Sequence, residues 1–170
     1  AAHQCYAHRA EWALGNRSHQ REAVSLWFTG RDMPSACMSL FAQSPENGLI
    51  REEDVWRRMR LALEAGNPHV AKVVANALPE TQRPGGALFD QAARDPARLL
   101  NADNKLDFSR RGDREIALYA LEQLAKRSSG EAEQALRKRA PQFGAEELRT
   151  AWARLATSAA RRHEAGALSW

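Results

Sequence analysis

Only two cysteines, Cys5 and Cys37, occur in the 170 residues, and they form no CxxC pair. A structural zinc cluster built from cysteine alone is therefore excluded, while one disulfide remains possible. Lysine is scarce too: Lys72, Lys105, Lys126 and Lys138 are all there is, so 25 basic residues minus 4 leaves 21 arginines. No run of about 18 apolar residues offers a membrane span. The first residues, AAHQCYAHRAEW, are amphipathic rather than a basic start followed by an apolar core, so no signal peptide is expected within this chain. If the protein is exported, that segment has been removed or lies outside the sequence. No stretch alternates apolar and polar residues over about five positions, and essentially no strand is expected.

The arrangements that carry catalysis are missing as well. His3, His8, His19, His69 and His163 are scattered; His3 and His8 fall on different faces of a helix, and there is no HExxH pair. A GxSxG elbow is absent, and Gly85-Gly86 lacks the following Lys-Ser or Lys-Thr of a phosphate loop. Cys37 follows Pro34-Ser35-Ala36 at a helix start, which can lower a thiol pKa, yet Cys5 offers a simpler partner. The carboxylates Glu52-Glu53-Asp54 and Glu146-Glu147 open helices, where the positive end of the dipole favours them, and read as capping rather than acid–base chemistry. No catalytic residue, metal or cofactor is expected.

What is present is ordinary for a globular domain: 44% hydrophobic and 27% charged residues. A chain of this length is normally one domain, burying about 70% of the surface it exposes when unfolded. The net charge of +4 permits an anionic polymer as partner without requiring one. Basic residues are interleaved with acids, unlike most nucleic-acid surfaces.

Helical periodicity runs through the chain. Cys5, Ala7 or His8, Trp12 and Ala13 recur at helical spacing before Gly15-Asn16. Ser18 then suits the cap of a second helix carrying Ala23, Leu26 and Trp27 up to Gly30, the two forming an antiparallel hairpin. Pro34 opens a short third helix with Ala36, Cys37, Leu40 and Phe41 on one face, broken by Ser44-Pro45-Glu46-Asn47-Gly48. From Arg51, an apolar stripe of Val55, Trp56, Met59, Ala62 and Leu63 precedes a Gly66-Asn67-Pro68 turn and a helix of Val70, Val73, Val74, Ala77 and Leu78, a second hairpin. Glu80 to Gly86 reads as a flexible connection. Short helices follow around Leu88 to Arg94 and Pro96 to Leu100. A strong helix then opens at Asp113 with Ile116, Ala117, Ala120, Leu121 and Leu124 on one face, partnered by Glu131 to Ala140. A last long helix from Ala145 carries Leu148, Trp152, Leu155, Ala156 and Ala159, and the final AGALSW reads as the start of another.

A loose motif returns in AEWALGNRSHQREAV, RLALEAGNPHVAKVV and RLATSAARRHEAGAL: a helix, a small-residue turn and an alanine-bearing second helix. The expected fold is all-α, an α-solenoid of antiparallel hairpins with irregular, tetratricopeptide-like repeats and about 9 to 11 helices. Residues 1–170 are expected to form one such domain or a fragment of one.

Two features suit binding. Trp12, Trp27, Trp56, Trp152 and Trp170 offer ring faces on which sugars stack, although four of them lie on apolar stripes and suit core packing. The arginines Arg57, Arg58, Arg60, Arg110, Arg111, Arg161 and Arg162 would contact an anionic polymer if the helices aligned them, a solvated exterior being the plainer alternative; Arg137-Lys138-Arg139 is a further cluster.

Cys5-Tyr6, Leu26-Trp27, Pro34-Ser35-Ala36-Cys37 with Leu40-Phe41, the run WRRMRLALEAGN from Trp56 to Asn67, and Leu78-Pro79 together resemble the helical superhelical domain of bacterial soluble lytic murein transglycosylases. The later Ala159-Ala160-Arg161-Arg162-His163, followed by Ala167-Leu168-Ser169-Trp170, is similar to a following segment of that region. The resemblance covers most of the chain, with a weak middle from Thr81 to Asp107. It implies a part of an enzyme that cleaves peptidoglycan between N-acetylmuramic acid and N-acetylglucosamine without water, leaving a 1,6-anhydro end. In that family a lysozyme-like domain with a Glu-Ser motif and a Gly-Leu-Met-Gln segment does the chemistry; neither motif occurs here, so this chain should be inactive alone. The implied role is a scaffold that supports the catalytic domain and helps handle glycan strands, with other cell-wall proteins as further partners to consider, in the periplasm of a Gram-negative bacterium. In that oxidising space Cys5 and Cys37 would pair, stabilising the fold by roughly 3 to 4 kcal/mol, the alternative being two buried free thiols.

Two other readings make different predictions. A stand-alone tetratricopeptide-like adaptor would grip a peptide or protein partner in a groove lined by Asn, Lys and Arg. A nucleic-acid-binding helical domain would show affinity falling steeply with salt; the scattered charge and the lack of a recognition helix argue against it.

Overall fold

The computed structural model describes residues 1–42, 49–103 and 105–168. Among them the chain is all-helical, with ten α-helices, two short 3-10 helices and no strand. It divides into two compact units, Ala1–Pro79 and Glu80–Trp170. The expected break at Ser44 to Gly48, and Trp170, lie outside the described residues.

The first unit contains α1 (Ala2–Ala13), α2 (Gln20–Ser25), α3 (Ser35–Ala42), α4 (Glu52–Glu64) and α5 (Pro68–Ala75). Helix α4 forms because its stripe is unbroken: Val55, Trp56, Met59, Ala62 and Leu63 are all buried, and Asp54 accepts a 3.0 Å hydrogen bond from the Arg51 amide at the open N-terminus. It pairs with α5 across Gly66, whose φ of +75° is left-handed. The Asn67 amide reaches back to the Ala62 carbonyl at 2.8 Å, and the Gly66 amide to that of Leu63 at 3.0 Å, a Schellman closure.

The same closure ends α1, with Gly15 at φ +78° and the Asn16 amide on the Glu11 carbonyl at 2.9 Å. These are the first two copies of the loose motif. The third closes alike at the far end of the chain, where the Glu164 amide bonds the Ala159 carbonyl at 3.1 Å, but His163 rather than glycine takes the positive φ, 56°.

The sequence pattern is corrected at the second helix. Helix α2 stops at Ser25, so Leu26 and Trp27 sit in the turn beyond it. Trp27 is nonetheless buried, because its indole N–H donates to the Asp54 carbonyl at 2.8 Å and its ring meets Phe41 edge-on. The segment then lies on α4: a Cβ at Gly30 would collide with the Leu61 carbonyl and the Ala65 side chain, and the Gly30 carbonyl accepts from Asn67 Nδ2 at 2.7 Å. Ser18 does not cap α2; its hydroxyl donates to Asn16 Oδ1, and His19 holds the cap position. Helix α1 packs chiefly on α3, burying Cys5 and His8, while Ala7 and Ala13 are exposed.

The second unit is built on α8 (Arg111–Arg127), with α6 (Gly86–Arg94), α7 (Pro96–Asn101), α9 (Ser129–Arg139) and α10 (Ala145–Arg161) packed around it. Its face of Ile116, Ala117, Ala120, Leu121 and Leu124 is buried, together with Gly112, Asp113, Glu115 and Tyr119, as suits a helix covered on several sides. A 3-10 turn, Ala140–Gln142, joins α9 to α10, and another, Ala165–Leu168, follows. Residues 80–85 are non-helical. Their carbonyls are held from below: Arg110 donates to Thr81 at 3.1 Å and Arg83 at 2.8 Å, and the Gly112 amide to Gln82 at 3.1 Å. Only glycine fits at position 112, because a Cβ would collide with the Gln82 and Arg83 backbone.

Candidate functional site

The abundance of arginine has a structural explanation in the second unit. Each of several guanidinium groups closes the carbonyl end of a neighbouring element. Arg127 donates to Ala93 and Arg94 at the end of α6, at 2.9 and 3.1 Å. Arg139, only 6% exposed, donates to Leu100 at the end of α7. Arg114 instead holds a loop carbonyl, that of Phe108 at 2.8 Å, and pairs with the Glu147 carboxylate at 2.9 Å. Helix ends leave such carbonyls without partners, and arginine's planar fork serves two at once where lysine cannot.

This reassigns much of the expected polymer-contact set. Arg162 donates to the Ala125 carbonyl at 2.7 Å, to the Ser129 hydroxyl and to Glu164, closing the end of α8. Arg110 is engaged with Thr81 and Arg83, and Arg111 lies 3.8 Å from Glu115. Arg58 is buried, 6% exposed, with its guanidinium 4.4 Å from the Trp27 ring centroid. Burial lowers its pKa, opposed by the charge of Asp32. It packs the core and offers nothing to a polymer, because the α4 stripe carries it inward. Arg60 is half-buried; Arg57 is exposed over the Phe28 ring, and Arg161 is exposed. Lysine-bearing Arg137-Lys138-Arg139 is likewise split: Arg137 pairs with Glu133 and lies over Trp152.

Among the described residues no group of three His, Cys, Asp or Glu side chains could hold a metal, and no helix is long and apolar enough to cross a membrane. Cys5 and Cys37 are joined by a disulfide, Cα atoms 5.0 Å apart, that fixes α1 on α3. Both sulfurs are buried, 0% and 1% exposed by residue.

Beside that bridge lies a groove of about 530 Å³ lined by Arg9, Trp12, Ala13, Arg17, Ser39, Leu40 and Ala42. Helix α1 supplies Arg9 and Trp12, one and nearly two turns beyond Cys5; the turn after Gly15 supplies Arg17, and α3 the opposite wall. Trp12 is half-buried, whereas Trp27 and Trp56 are core residues. Of the expected sugar platforms, Trp12 therefore retains a groove position. Arg9 and Arg17 were outside the sequence-derived set because neither belongs to a run of basic residues; their one local signal is flanking a tryptophan across a helix end.

These features define a class: paired helices held by buried apolar stripes, arginine closures and one disulfide. No protein-family model matches the chain. Its curated homologues are soluble lytic murein transglycosylases. The one from Salmonella typhimurium is 31% identical over 98 residues, 57% of this chain and 15% of the relative. The Escherichia coli one is 27% identical over 133 residues, 76% of this chain and 20% of the relative. The chain thus spans about a fifth or less of the relatives' length. In three dimensions, an inactive mutant of the lytic transglycosylase Slt from Pseudomonas aeruginosa superposes with a TM-score of 0.74 at 26% identity, over 97% of this chain and 27% of that one. The 70-kDa soluble lytic transglycosylase solved with bulgecin A shares the fold at a TM-score of 0.65 and 22% identity, over 92% of this chain and 26% of that one. The chain is a homologue of a helical segment of these enzymes.

Proposed function

We propose that residues 1–170 are part of one non-catalytic helical domain of a peptidoglycan lytic transglycosylase, which supports a lysozyme-like catalytic domain and handles glycan strands. The parent activity is non-hydrolytic cleavage of the bond between N-acetylmuramic acid and N-acetylglucosamine, giving 1,6-anhydro ends. The carrying observation is the superposition on the Pseudomonas aeruginosa enzyme over 97% of the chain at 26% identity. Its partners are peptidoglycan and the catalytic domain, and its compartment is the periplasm of a Gram-negative bacterium. A disulfide buried at both cysteines suits that oxidising space. Arg57 and Arg161, exposed in their separate units, are the remaining members of the expected anionic-polymer contacts.

A chimera tests this role. The corresponding segment of the Escherichia coli homologue is replaced by this chain, and release of anhydro-muropeptides from sacculi is compared with that of a segment-deleted form. Restored release supports the reading; a chimera no better than the deletion, although soluble and folded by circular dichroism, contradicts it.

A further inference from the structure

The groove between α1 and α3 has the composition of a ligand site. About 530 Å³ falls within the range of small-molecule pockets. Its lining holds, among the described residues, two arginines and no carboxylate, and their local field favours an anion. Among the described residues neither Arg9 nor Arg17 makes an ion pair or a side-chain hydrogen bond, in contrast to Arg110 and Arg114, which hold loop carbonyls, and to Arg127, Arg139 and Arg162, which close helix ends. Trp12 is the one aromatic among the described residues of the lining, and its indole N–H is buried with no acceptor among the described residues. A lone flat ring suits the C–H face of one saccharide unit. Ser39 donates its hydroxyl proton to the Ser35 carbonyl at 3.0 Å, which leaves its oxygen to accept from a sugar hydroxyl or amide. The disulfide one turn away sets the width between the walls.

We propose that this groove binds an acidic amino sugar, with the ring on Trp12 and a carboxylate between Arg9 and Arg17; this rests on the murein-handling reading above. Two sources supply such a carboxylate, a lactyl ether and a stem peptide, the two acidic groups that murein chemistry attaches to its sugars.

Titration calorimetry of the full, oxidised chain tests it with three probes. These are the N-acetylglucosamine–N-acetylmuramic acid disaccharide with a free lactyl carboxylate, the same disaccharide bearing a tetrapeptide, and chitobiose, which has neither acid. The expected result is saturable binding of at least one acidic probe about tenfold or more tighter than chitobiose, as one charged hydrogen-bonded contact implies. Preference for the first probe assigns the lactyl group and preference for the second the stem peptide; either supports the proposal. In R9Q/R17Q, whose substituted side chains are exposed, that preference falls to the chitobiose level with the circular dichroism unchanged. W12F should keep the ring and the binding, while Trp12→Ala weakens all three probes. Equal affinity for acidic and neutral probes, or an unchanged preference in R9Q/R17Q, overturns the groove assignment. Retention of R9Q/R17Q on whole sacculi at wild-type level would place that failure in the groove alone; loss of the chimera's activity is what counts against the murein reading.

Discussion

The guanidinium of Arg139 donates both Nε and Nη2 to the carbonyl oxygen of Leu100, at 3.0 and 2.8 Å, and so closes the end of α7 from α9. Both donors are buried with their acceptor. Arg139→Lys keeps the charge but loses the fork and strands the carbonyl, and is expected to lower unfolding stability by about 1.5 to 3 kcal/mol. Urea denaturation checks this, with Arg161→Lys, at an exposed site, as the control expected within about 0.5 kcal/mol of wild type.

The Cys5–Cys37 bridge closes a sequence separation of 32 residues. Its reduction should cost the first unit roughly 3 to 4 kcal/mol in the chain-entropy view. Hydrogen exchange under native conditions is the suitable readout. Amides of α1 and α3 should lose protection on reduction while those of α8 keep theirs; loss spread evenly over both units would contradict a local staple.

At the third copy of the turn motif, His163 occupies the left-handed position that Gly15 and Gly66 fill in the other two. His163→Gly is therefore expected to raise stability by about 0.5 to 1 kcal/mol, and Gly66→Ala to lower it by about 1 kcal/mol. Thermal melts of the two variants should move in opposite directions.

Glu164 has its pKa lowered by the hydrogen bond from Arg162 and next by that involving Ser129. A carboxylate depressed in the folded state adds stability above its unfolded pKa and loses it as pH falls through the folded value. The carboxyl resonance of Glu164 should thus titrate below the ordinary 4.5, and Arg162→Gln should bring it back up. A midpoint unchanged by Arg162→Gln would break the link.

Much of the architecture was legible from periodicity because a helix stripe is a local signal. Val55, Trp56, Met59, Ala62 and Leu63 announced α4, and Ile116 to Leu124 announced α8, since each face must be buried somewhere. The end of α2 was not legible: Leu26 and Trp27 continue a helical spacing, but Trp27 is drawn to the Asp54 carbonyl of another helix. Arginine roles were hidden for the same reason. Arg110 and Arg162 looked like surface charge in their runs, and their carbonyl acceptors Arg83 and Ala125 lie 27 and 37 residues away in sequence. The groove was half visible, through Trp12, while Arg9 and Arg17 came into register with it only when α1 was placed on α3.

The central claim, a murein-handling segment that carries no catalysis of its own, is tested most directly by incubating the purified chain with sacculi. Pelleted protein and soluble muropeptides are then measured by mass spectrometry. The account predicts that the chain sediments with the sacculi and releases no 1,6-anhydro products; release of anhydro-muropeptides by the chain alone, or failure to sediment with them, would contradict it.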